Sequence, residues 1–286
     1  MRVPFHLLDV FAEEPFAGNQ LCVVPDVPAD LDGETMQTLA REIGFSETTF
    51  VTSLRDAGYD VRIFTPDAEL PFAGHPTLGT AFLLVSHGRV APSLVQTSAA
   101  GDVPVDVDLG SARATMRQLS PAFGESLRDR AAVAGAAGLT IDDLIEGMPV
   151  MAISTGIPHV MVPVRDEGRL RSARRNSQGC GAVCEAASAE SLYLFAVRRD
   201  GDVIARMFDR SDSIGEDPAT GSAAGPLGAY LSRHGMAGMP GRAVVAQGEM
   251  VGRPSFLHVQ VGRDGDGWTI EVGGGVRMVG EGAFAI

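Results

Sequence analysis

Three polar residues stand in segments whose composition suits proton-transfer chemistry: Glu47 in GFSETTF, His75 in FAGHPTLGTA and Asp217 in GEDPATGSAA. Glu47 is an acid flanked by apolar and hydroxyl residues. A carboxyl group shielded from water keeps its proton to higher pH, where it can exchange protons near neutrality. The same pattern also fits an exposed glutamate at the start of a strand, and the local sequence does not decide between the two.

His75 and Asp217 each precede a proline that opens an apolar, small-residue run. Proline favours the first position of a helix, where backbone N–H groups have no helical partner and can bind an anion. Two such helix starts in one cleft would hold a substrate carboxylate and stabilise an enolate-like charge. A histidine there is expected to be neutral, because the positive helix end opposes its protonation. The alternative is two ordinary helix starts without a ligand.

These segments also repeat within the chain. His75–Ala81 aligns with Asp217–Ala223 through the shared pattern P-x-x-G-[TS]-A, and Gly18–Pro25 aligns with Gly156–Pro163, each a turn followed by an apolar strand. Two matches in the same order at similar offsets indicate a duplicated domain. The alternative is that turns rich in glycine and proline arose independently.

Most of the remaining segments read as short strands between Gly, Pro or Asp residues. The pattern predicts few helices, at 33–43, 76–85, 131–137 and 221–232, the first with Asp32 as its N-cap. The helices at 76–85 and 221–232 are apolar on all sides and must be buried on all sides. We therefore expect two α/β halves, each with a sheet around its own helix, and a boundary near Leu119–Gly124.

Composition excludes several classes of protein. The chain has 286 residues, 45% hydrophobic and 21% charged, which is typical of a globular protein. Its net charge of -13 argues against binding to nucleic acid or to an anionic membrane. The N-terminus reads as a strand rather than a signal peptide, and no apolar run is long enough to span a bilayer, so we expect a cytoplasmic protein.

The three cysteines, Cys22, Cys180 and Cys184, predict no disulfide framework. The Cys180 and Cys184 spacing has no second pair and no nearby histidine, so no metal site is expected. An arginine cluster at 169–175 is read as a solvated helix face, with a local anion contact as the alternative.

Several longer blocks carry a family resemblance: PFAGNQLCVV, FSETTFV, RIFTPDAELPFAGHPTLGTA, GEDPATGSAAGPLGAYL and QGEMVGRPS. In this order they span nearly the whole chain, and it resembles the PhzF-like (phenazine biosynthesis) family. The resemblance implies a diaminopimelate-epimerase-like α/β (α+β) fold. It has two pseudo-symmetric domains, each a mixed, mostly antiparallel sheet wrapped around a central helix, commonly as a homodimer.

On this basis residues 1–120 form the N-terminal half, to which a C-terminal strand at about 275–286 returns, and 121–274 form the C-terminal half. The active site is expected in the cleft between them. Epimerase relatives use one cysteine from each half at the helix starts. Here His75 and Asp217 stand at those starts, which disfavours a two-thiol mechanism.

The resemblance implies the site residues and the reaction. Glu47 is the general acid/base, while His75 and Asp217 orient the substrate and assist proton movement. Substrate-binding groups are Gly74, Gly221 and Ser222, whose backbone N–H groups would hold the carboxylate, and Asn19 as a further contact. His159 lies in the matching turn of the other half, where it would support these groups.

The expected activity is cofactor-free isomerisation of a small cyclic amino or hydroxy carboxylic acid, similar to that of trans-2,3-dihydro-3-hydroxyanthranilate isomerase. The proton would move from one carbon to another two positions away. Two alternatives stay open: an epimerase or tautomerase of another small amino acid, and a catalytically silent carboxylate-binding protein. Fold alone does not choose among them.

Overall fold

A computed structural model describes residues 1–238, 240–265 and 267–286 of the chain. It forms two compact units. The first comprises Met1–Arg117 together with Gly273–Ile286, and the second comprises Gln118–Val272. The fold is mixed α/β, with many strands and few helices.

The first unit contains eight strands, two helices and most of the last strand of the chain. The strands are β1 (Arg2–Val10), β2 (Asn19–Val24), β3 (Glu47–Arg55), β4 (Gly58–Phe64), β5 (Glu69–Leu70), β6 (Ser93–Ser98), β7 (Gly101–Asp108) and β8 (Arg113–Arg117). The helices are α1 (Gly33–Ile43) and α2 (Gly74–Ser86).

The strands of this unit form a closed sheet. β2 pairs with β3 in parallel, β3 with β4 antiparallel and β4 with β6 in parallel. The last strand, named β17 below, pairs with both β1 and β8. Helix α2 is buried at every residue from Gly74 to Val85 and packs on β1, β2, β3, β6, β7 and β8. Its apolar circumference therefore has the surroundings that its sequence requires.

The second unit contains the remaining strands and four helices. The strands are β9 (Ala122–Ser126), β10 (Met151–Ser154), β11 (Pro158–Pro163), β12 (Ser191–Val197), β13 (Val203–Asp209), β14 (Glu216–Asp217), β15 (Gly241–Gln247), β16 (Ser255–Asp264) and β17 (Gly267–Ala285). The helices are α3 (Arg130–Ala136), α4 (Glu167–Ser172), α5 (Ser177–Ala187) and α6 (Gly221–Arg233).

The second unit repeats the pairing scheme of the first. β11 pairs with β12 in parallel, β12 with β13 antiparallel and β13 with β15 in parallel. Helix α6 is buried from Gly221 to Leu231 and packs on β10, β11 and β16. A separate apolar cluster joins α3, α4 and α5 to strands of the same unit, with Leu170, Cys180 and Cys184 fully buried in it.

The predicted helix at 33–43 is confirmed, and so is its cap. Asp32 accepts a hydrogen bond from the Thr35 backbone N–H at 2.8 Å. Gly44 ends the helix at φ 69°, a left-handed conformation that glycine adopts without steric cost. Helices α4 and α5 are not among the helical segments predicted from the sequence. Helix α4 is short and charged, and α5 is built mostly from small residues, so neither has a strong helical pattern.

Three of the arginines at 169–175 are ion-paired, and those on α4 also face solvent as expected, since the side chains of Arg169 and Arg171 are 60% and 43% exposed. Arg171 contacts Glu167 at 2.7 Å, Arg175 contacts Asp212 at 2.6 Å, and Arg169 pairs with Asp143. None of the helices in the described part of the chain combines the length and the apolar composition that a transmembrane span needs.

Candidate active site

Glu47 is the first residue of β3, and its position follows from the end of α1. The left-handed Gly44 turns the chain, and Glu47 then pairs in parallel with Leu21 of β2. This pairing brings the start of β3 beside the start of β2, where Asn19 lies. The Glu47 side chain is 14% exposed, so the carboxyl group is largely shielded but not sealed from solvent.

His75 lies in the first turn of α2 and is buried. Its Nε2 atom is 3.3 Å from Oε2 of Glu47, and its Nδ1 atom is 3.2 Å from Nδ2 of Asn19. The structure thus brings together three residues that the sequence placed at separate positions in the first half.

Ser46 belongs to the same group of polar side chains. Its hydroxyl contacts Oδ1 of Asn19 at 3.1 Å, and Nδ2 of that amide is the atom nearest Nδ1 of His75. A hydroxyl can donate or accept, so these contacts hold the amide and the ring in place and are compatible with a proton on either ring nitrogen.

Burial lowers the pKa of His75 to about 3, and the backbone carbonyl of Gln20 opposes this in part. The imidazole is therefore neutral at physiological pH, and its contact with Glu47 is a polar contact rather than an ion pair. The neutral form predicted from the sequence is confirmed, although burial rather than the helix end is its main cause.

Asp217 lies in β14 and is buried, with its backbone paired to Met207 of β13. The helix predicted at 221–232 begins at Gly221 as expected, but the accompanying expectation that each helix opens at the proline after the polar residue is wrong. Helix α2 begins at Gly74, so that His75 and Pro76 lie inside its first turn. Helix α6 begins at Gly221, three residues after Pro218.

The physical reason lies in the residues between Asp217 and the helix. The Thr220 hydroxyl donates to Oδ2 of Asp217 at 2.5 Å, and Gln247 donates to the Asp217 carbonyl at 2.8 Å. These bonds hold 217–220 outside the helix. In α2, by contrast, proline is tolerated within the first turn because its missing N–H would have no helical partner.

Ser222, in the first turn of α6, is joined to His159. Nε2 of His159 is 3.0 Å from Oγ of Ser222, and Nδ1 is 2.8 Å from Oγ of Ser191. Burial lowers the pKa of His159 to about 3, so this ring is also neutral. Gly74 and Gly221 are the first residues of α2 and α6, and the sequence reading had placed both at helix starts.

The cysteines lie away from these helix starts. Cys22 is in β2, Cys180 and Cys184 are in α5, and all three are fully buried. Burial raises the pKa of Cys22 and of Cys184 to about 12, so neither forms the thiolate that a thiol base requires. Across the described ranges, no three His, Cys, Asp or Glu side chains are grouped as metal ligands.

Comparison with known proteins defines the class to which this fold and site belong. The profile of the phenazine biosynthesis-like family, PhzC-PhzF, matches residues 8–282. A trans-2,3-dihydro-3-hydroxyanthranilate isomerase of Pseudomonas chlororaphis is 33% identical over 285 residues, 98% of each chain. A PhzF-family protein of Bacillus anthracis has a crystal structure with a TM-score of 0.89, 28% identity and full coverage of both chains.

The chain belongs to the PhzC-PhzF family and is an isomerase, as its curated relatives are named. The fold extends to epimerase-like proteins. A probable proline racemase of Agrobacterium radiobacter matches with a TM-score of 0.67 over 99% of this chain and 93% of that one. At 12% identity this likeness concerns the fold alone.

Sequence reasoning missed four residues of these networks: Ser46, Tyr193, Thr220 and Gln247. The available signal was a polar side chain within an apolar strand, as with Tyr193 in SLYLFAV and Gln247 at the end of AVVAQ. Such residues are buried only when they are hydrogen-bonded, so each one indicates a partner that remains to be found.

Proposed function

We propose that this isomerase moves a proton between two carbons of a small cyclic amino or hydroxy carboxylic acid, with Glu47 as the group that removes and returns it. The observation that carries the proposal is the 3.3 Å contact between the shielded Glu47 carboxyl and the neutral His75 imidazole. The 33% identical isomerase from Pseudomonas chlororaphis supports the substrate class.

The proposed reaction is a 1,3-proton shift. Glu47 takes a proton from a carbon next to an unsaturated bond, and the electron pair left behind spreads over the three-carbon unit. The same carboxylic acid then returns the proton to the third carbon. Carbon–hydrogen bonds broken and formed balance, and no electrons are gained or lost, so the step as proposed is independent of a cofactor.

His75 has a defined role in this scheme. Its Nε2 atom lies 3.3 Å from Oε2 of Glu47, and the neutral ring holds that carboxyl group in place without itself being a cation. A ring that does not titrate keeps this role unchanged over the working pH range. Asn19 acts through the ring, since its Nδ2 atom contacts Nδ1.

The remaining substrate contacts are predictions carried over from the sequence. Backbone N–H groups at Gly74 in the first unit, and at Gly221 and Ser222 in the second, are proposed to bind the substrate carboxylate. Asp217 is proposed to orient the substrate. We further propose that the two units arose by duplication, since their strands pair in the same order.

The test is proton exchange in deuterium oxide. Trans-2,3-dihydro-3-hydroxyanthranilate is incubated with the protein, and deuterium is located by NMR and mass spectrometry. We expect conversion to the isomer, with deuterium at the carbon two positions from the original site in the turnovers in which the partly exposed Glu47 acid exchanges with solvent before it returns the proton. Deuterium at the original carbon with inversion would identify an epimerase instead, and binding with neither isomerisation nor exchange would identify a silent carboxylate-binding protein.

Substitution assigns the base. Glu47→Gln is expected to lower the exchange rate by about 100- to 10,000-fold, because general acid/base catalysis contributes on this order. Glu42→Gln is the matched control, since Glu42 is exposed on α1. If Glu47→Gln exchanges protons at nearly the wild-type rate, Glu47 is not the base.

Homodimer assembly and a cytoplasmic location are also proposed, as expected from the family. Analytical ultracentrifugation measures the first directly. A single species at the mass of one 29.9 kDa chain would contradict it.

A further inference from the structure

A chain of buried hydrogen bonds leads to Asp217 in the second unit. The Tyr193 hydroxyl donates to Oε1 of Gln247 at 2.8 Å, and Nε2 of Gln247 donates to Oγ1 of Thr220 at 3.0 Å. The Thr220 hydroxyl then donates to Oδ2 of Asp217 at 2.5 Å. All four side chains are buried, with Tyr193 and Gln247 at 0% and 1% exposed.

Two backbone groups fix the orientation of the Gln247 amide. Nε2 of Gln247 donates to the Asp217 carbonyl at 2.8 Å, while Oε1 accepts from the Thr220 backbone N–H at 3.3 Å. If the amide were flipped, its oxygen would face the Asp217 carbonyl oxygen, and its NH₂ group would face the Thr220 backbone N–H. Neither pair can form a hydrogen bond. Only one orientation is therefore compatible with the backbone.

The direction of every proton in the chain follows from that orientation. An amide nitrogen can only donate, so Oγ1 of Thr220 must accept from Gln247. The hydroxyl proton of Thr220 is then donated to a different acceptor. Among the described residues, the acceptor recorded for that proton is Oδ2 of Asp217. That oxygen therefore carries no proton, and it accepts more strongly when the carboxyl group is ionised, so the hydrogen bond favours the charged form. Burial raises the pKa of Tyr193, and the charge of Asp217 raises it further, so Tyr193 stays a neutral donor.

We propose that Tyr193, Gln247 and Thr220 position the carboxylate of Asp217 and hold it in its charged form. Thr220 contacts the carboxylate directly, whereas Gln247 and Tyr193 act through Thr220. This inference rests on the proposed function for the role of Asp217 in turnover, but the state of the carboxylate can be tested without turnover.

The first unit contains a natural control. There the Tyr59 hydroxyl donates to Oε1 of Gln96 at 2.8 Å, and Nε2 of Gln96 donates to Oγ1 of Thr77 at 2.8 Å. The Thr77 hydroxyl ends the chain on the backbone carbonyl of Ala73 at 2.8 Å. The same three residue types thus form a series of hydrogen bonds at the start of each buried helix. Of the two series, the one in the second unit ends on a carboxylate.

Other ionisable groups lie on elements that border Asp217. Arg206 of β13 is paired with Glu216 at 2.7 Å, and the first turn of α6 carries no acidic residue. The titratable or charged side chains on β12 to β15, on α6 and in the turn after β15 are Tyr193, Arg206, Asp209, Glu216, Tyr230, Arg233, Arg242, Glu249 and Arg253, and the neutral His159 contacts Ser222 of α6. Thr220→Val leaves all of them in place, so that a change in protonation reports the lost hydroxyl.

The experiment measures the protonation of Asp217 by NMR of protein labelled with ¹³C at the aspartate carboxyl. The Asp217 signal is the one that Asp217→Asn removes. In Thr220→Val the midpoint of its protonation should move to higher pH by about one unit, because one hydrogen bond to the charged form is lost. Thr220→Ser should restore the wild-type midpoint, and Thr77→Val should leave it unchanged.

An unchanged midpoint in folded Thr220→Val would overturn the proposal. If that variant does not fold, Tyr193→Phe removes only the far hydroxyl, and the proposal then requires a smaller shift in the same direction. The acidic limb of the exchange rate should follow the midpoint. If Asp217→Asn exchanges protons normally, the proposed role of Asp217 in turnover fails, and the NMR result still decides the hydrogen-bonded chain.

Discussion

In the first unit, the start of α2 carries a neutral imidazole 3.3 Å from a glutamate; in the second, α6 follows an aspartate that accepts a threonine hydroxyl. Both helix starts are tied by a buried Tyr–Gln–Thr chain. The difference shows that a repeated frame can support different chemistry. The frame supplies the hydrogen-bonded anchor, and one or two substituted residues decide whether an imidazole or a carboxylate lies at the start of the helix.

Among the neighbours of Glu47, the imidazole of the first unit should have the largest effect. His75→Gln is expected to lower the proton exchange rate by about 100-fold, because Glu47 loses the ring that holds its carboxyl group in place. The pH optimum should stay in place, since His75 is neutral with a pKa of about 3 and does not titrate in the working range. A shift of the optimum toward higher or lower pH would show that the ring takes part in the titration that sets it.

Replacing a glycine by alanine should lower the free energy of unfolding by different amounts in the two buried helices. In Gly225→Ala the new Cβ would lie 1.8 Å from Oε1 of Gln118, which accepts from Thr155 at 2.7 Å. In Gly79→Ala it would lie 2.5 Å from a methyl group of Leu21. Overpacking costs about 1–3 kcal/mol, and helix propensity returns up to about 1 kcal/mol.

We therefore expect both variants to unfold at lower urea concentration, Gly225→Ala more than Gly79→Ala because it also displaces a bonded amide. Gly181→Ala in α5 is the control. Its Cβ would meet no atom within 4 Å, so this variant should be stabilised by about 0.5–1 kcal/mol. Equal stability of all three variants would mean that the two helices are not tightly packed.

The two buried histidines should make stability depend on pH. Each has a pKa lowered to about 3 in the folded chain, against 6.5 in the unfolded chain. Above pH 6.5 protonation of these histidines does not lower the free energy of unfolding. As the pH falls from 6.5 toward 3, the free energy of unfolding decreases, because only the unfolded chain takes up the proton. Each contributes a slope of about 1.4 kcal/mol per pH unit within that window.

Urea unfolding at several pH values between 4 and 8 measures the slope. His75→Gln and His159→Gln should each reduce it by a similar amount, one in each unit. If only one substitution reduces the dependence of unfolding free energy on pH, the two rings differ in protonation. The two units would then resemble each other in backbone structure but not in the state of their buried histidines.

The smallest effect should come from the hydroxyl that orients Asn19. Ser46→Ala removes the hydroxyl that contacts Oδ1 of Asn19, so the amide can turn away from Nδ1 and His75 loses part of its support. Loss of one hydrogen bond of about 0.5–1.5 kcal/mol predicts a fall in exchange rate of about 2- to 10-fold. Ser46→Thr should restore most of the rate, and a rate unaffected by Ser46→Ala would remove the hydroxyl from the network.

Much of the frame was predictable because it depends on local rules. The helix at 33–43 has an aspartate cap before it and a glycine after it, and its bounds were read correctly. Strand β6 was missed because only two apolar residues, Leu94 and Val95, mark it. Strand β7 was missed although its valines alternate with other residues as in a half-buried strand, because Pro104 and three aspartates interrupt the run. Their pairing with β4 and β8 is decided by contacts distant in sequence.

The candidate site divides in the same way. Glu47, His75 and Asn19 were each singled out from the sequence, and the structure places them together around one imidazole. The Thr220, Gln247 and Tyr193 chain was not found, because its members come from a helix cap and two strands that are far apart along the chain.

The sequence by itself determined the family, the isomerase class, the two apolar helices that must be buried, and the residues proposed to exchange protons. Residue type, spacing and hydrophobic pattern are local properties and can be read in order along the chain. Only the tertiary structure decided that α2 begins at Gly74, which nitrogen of His75 faces Glu47, and what holds Asp217. Those outcomes depend on hydrogen bonds between residues up to 56 positions apart, and such bonds form only after the strands have paired.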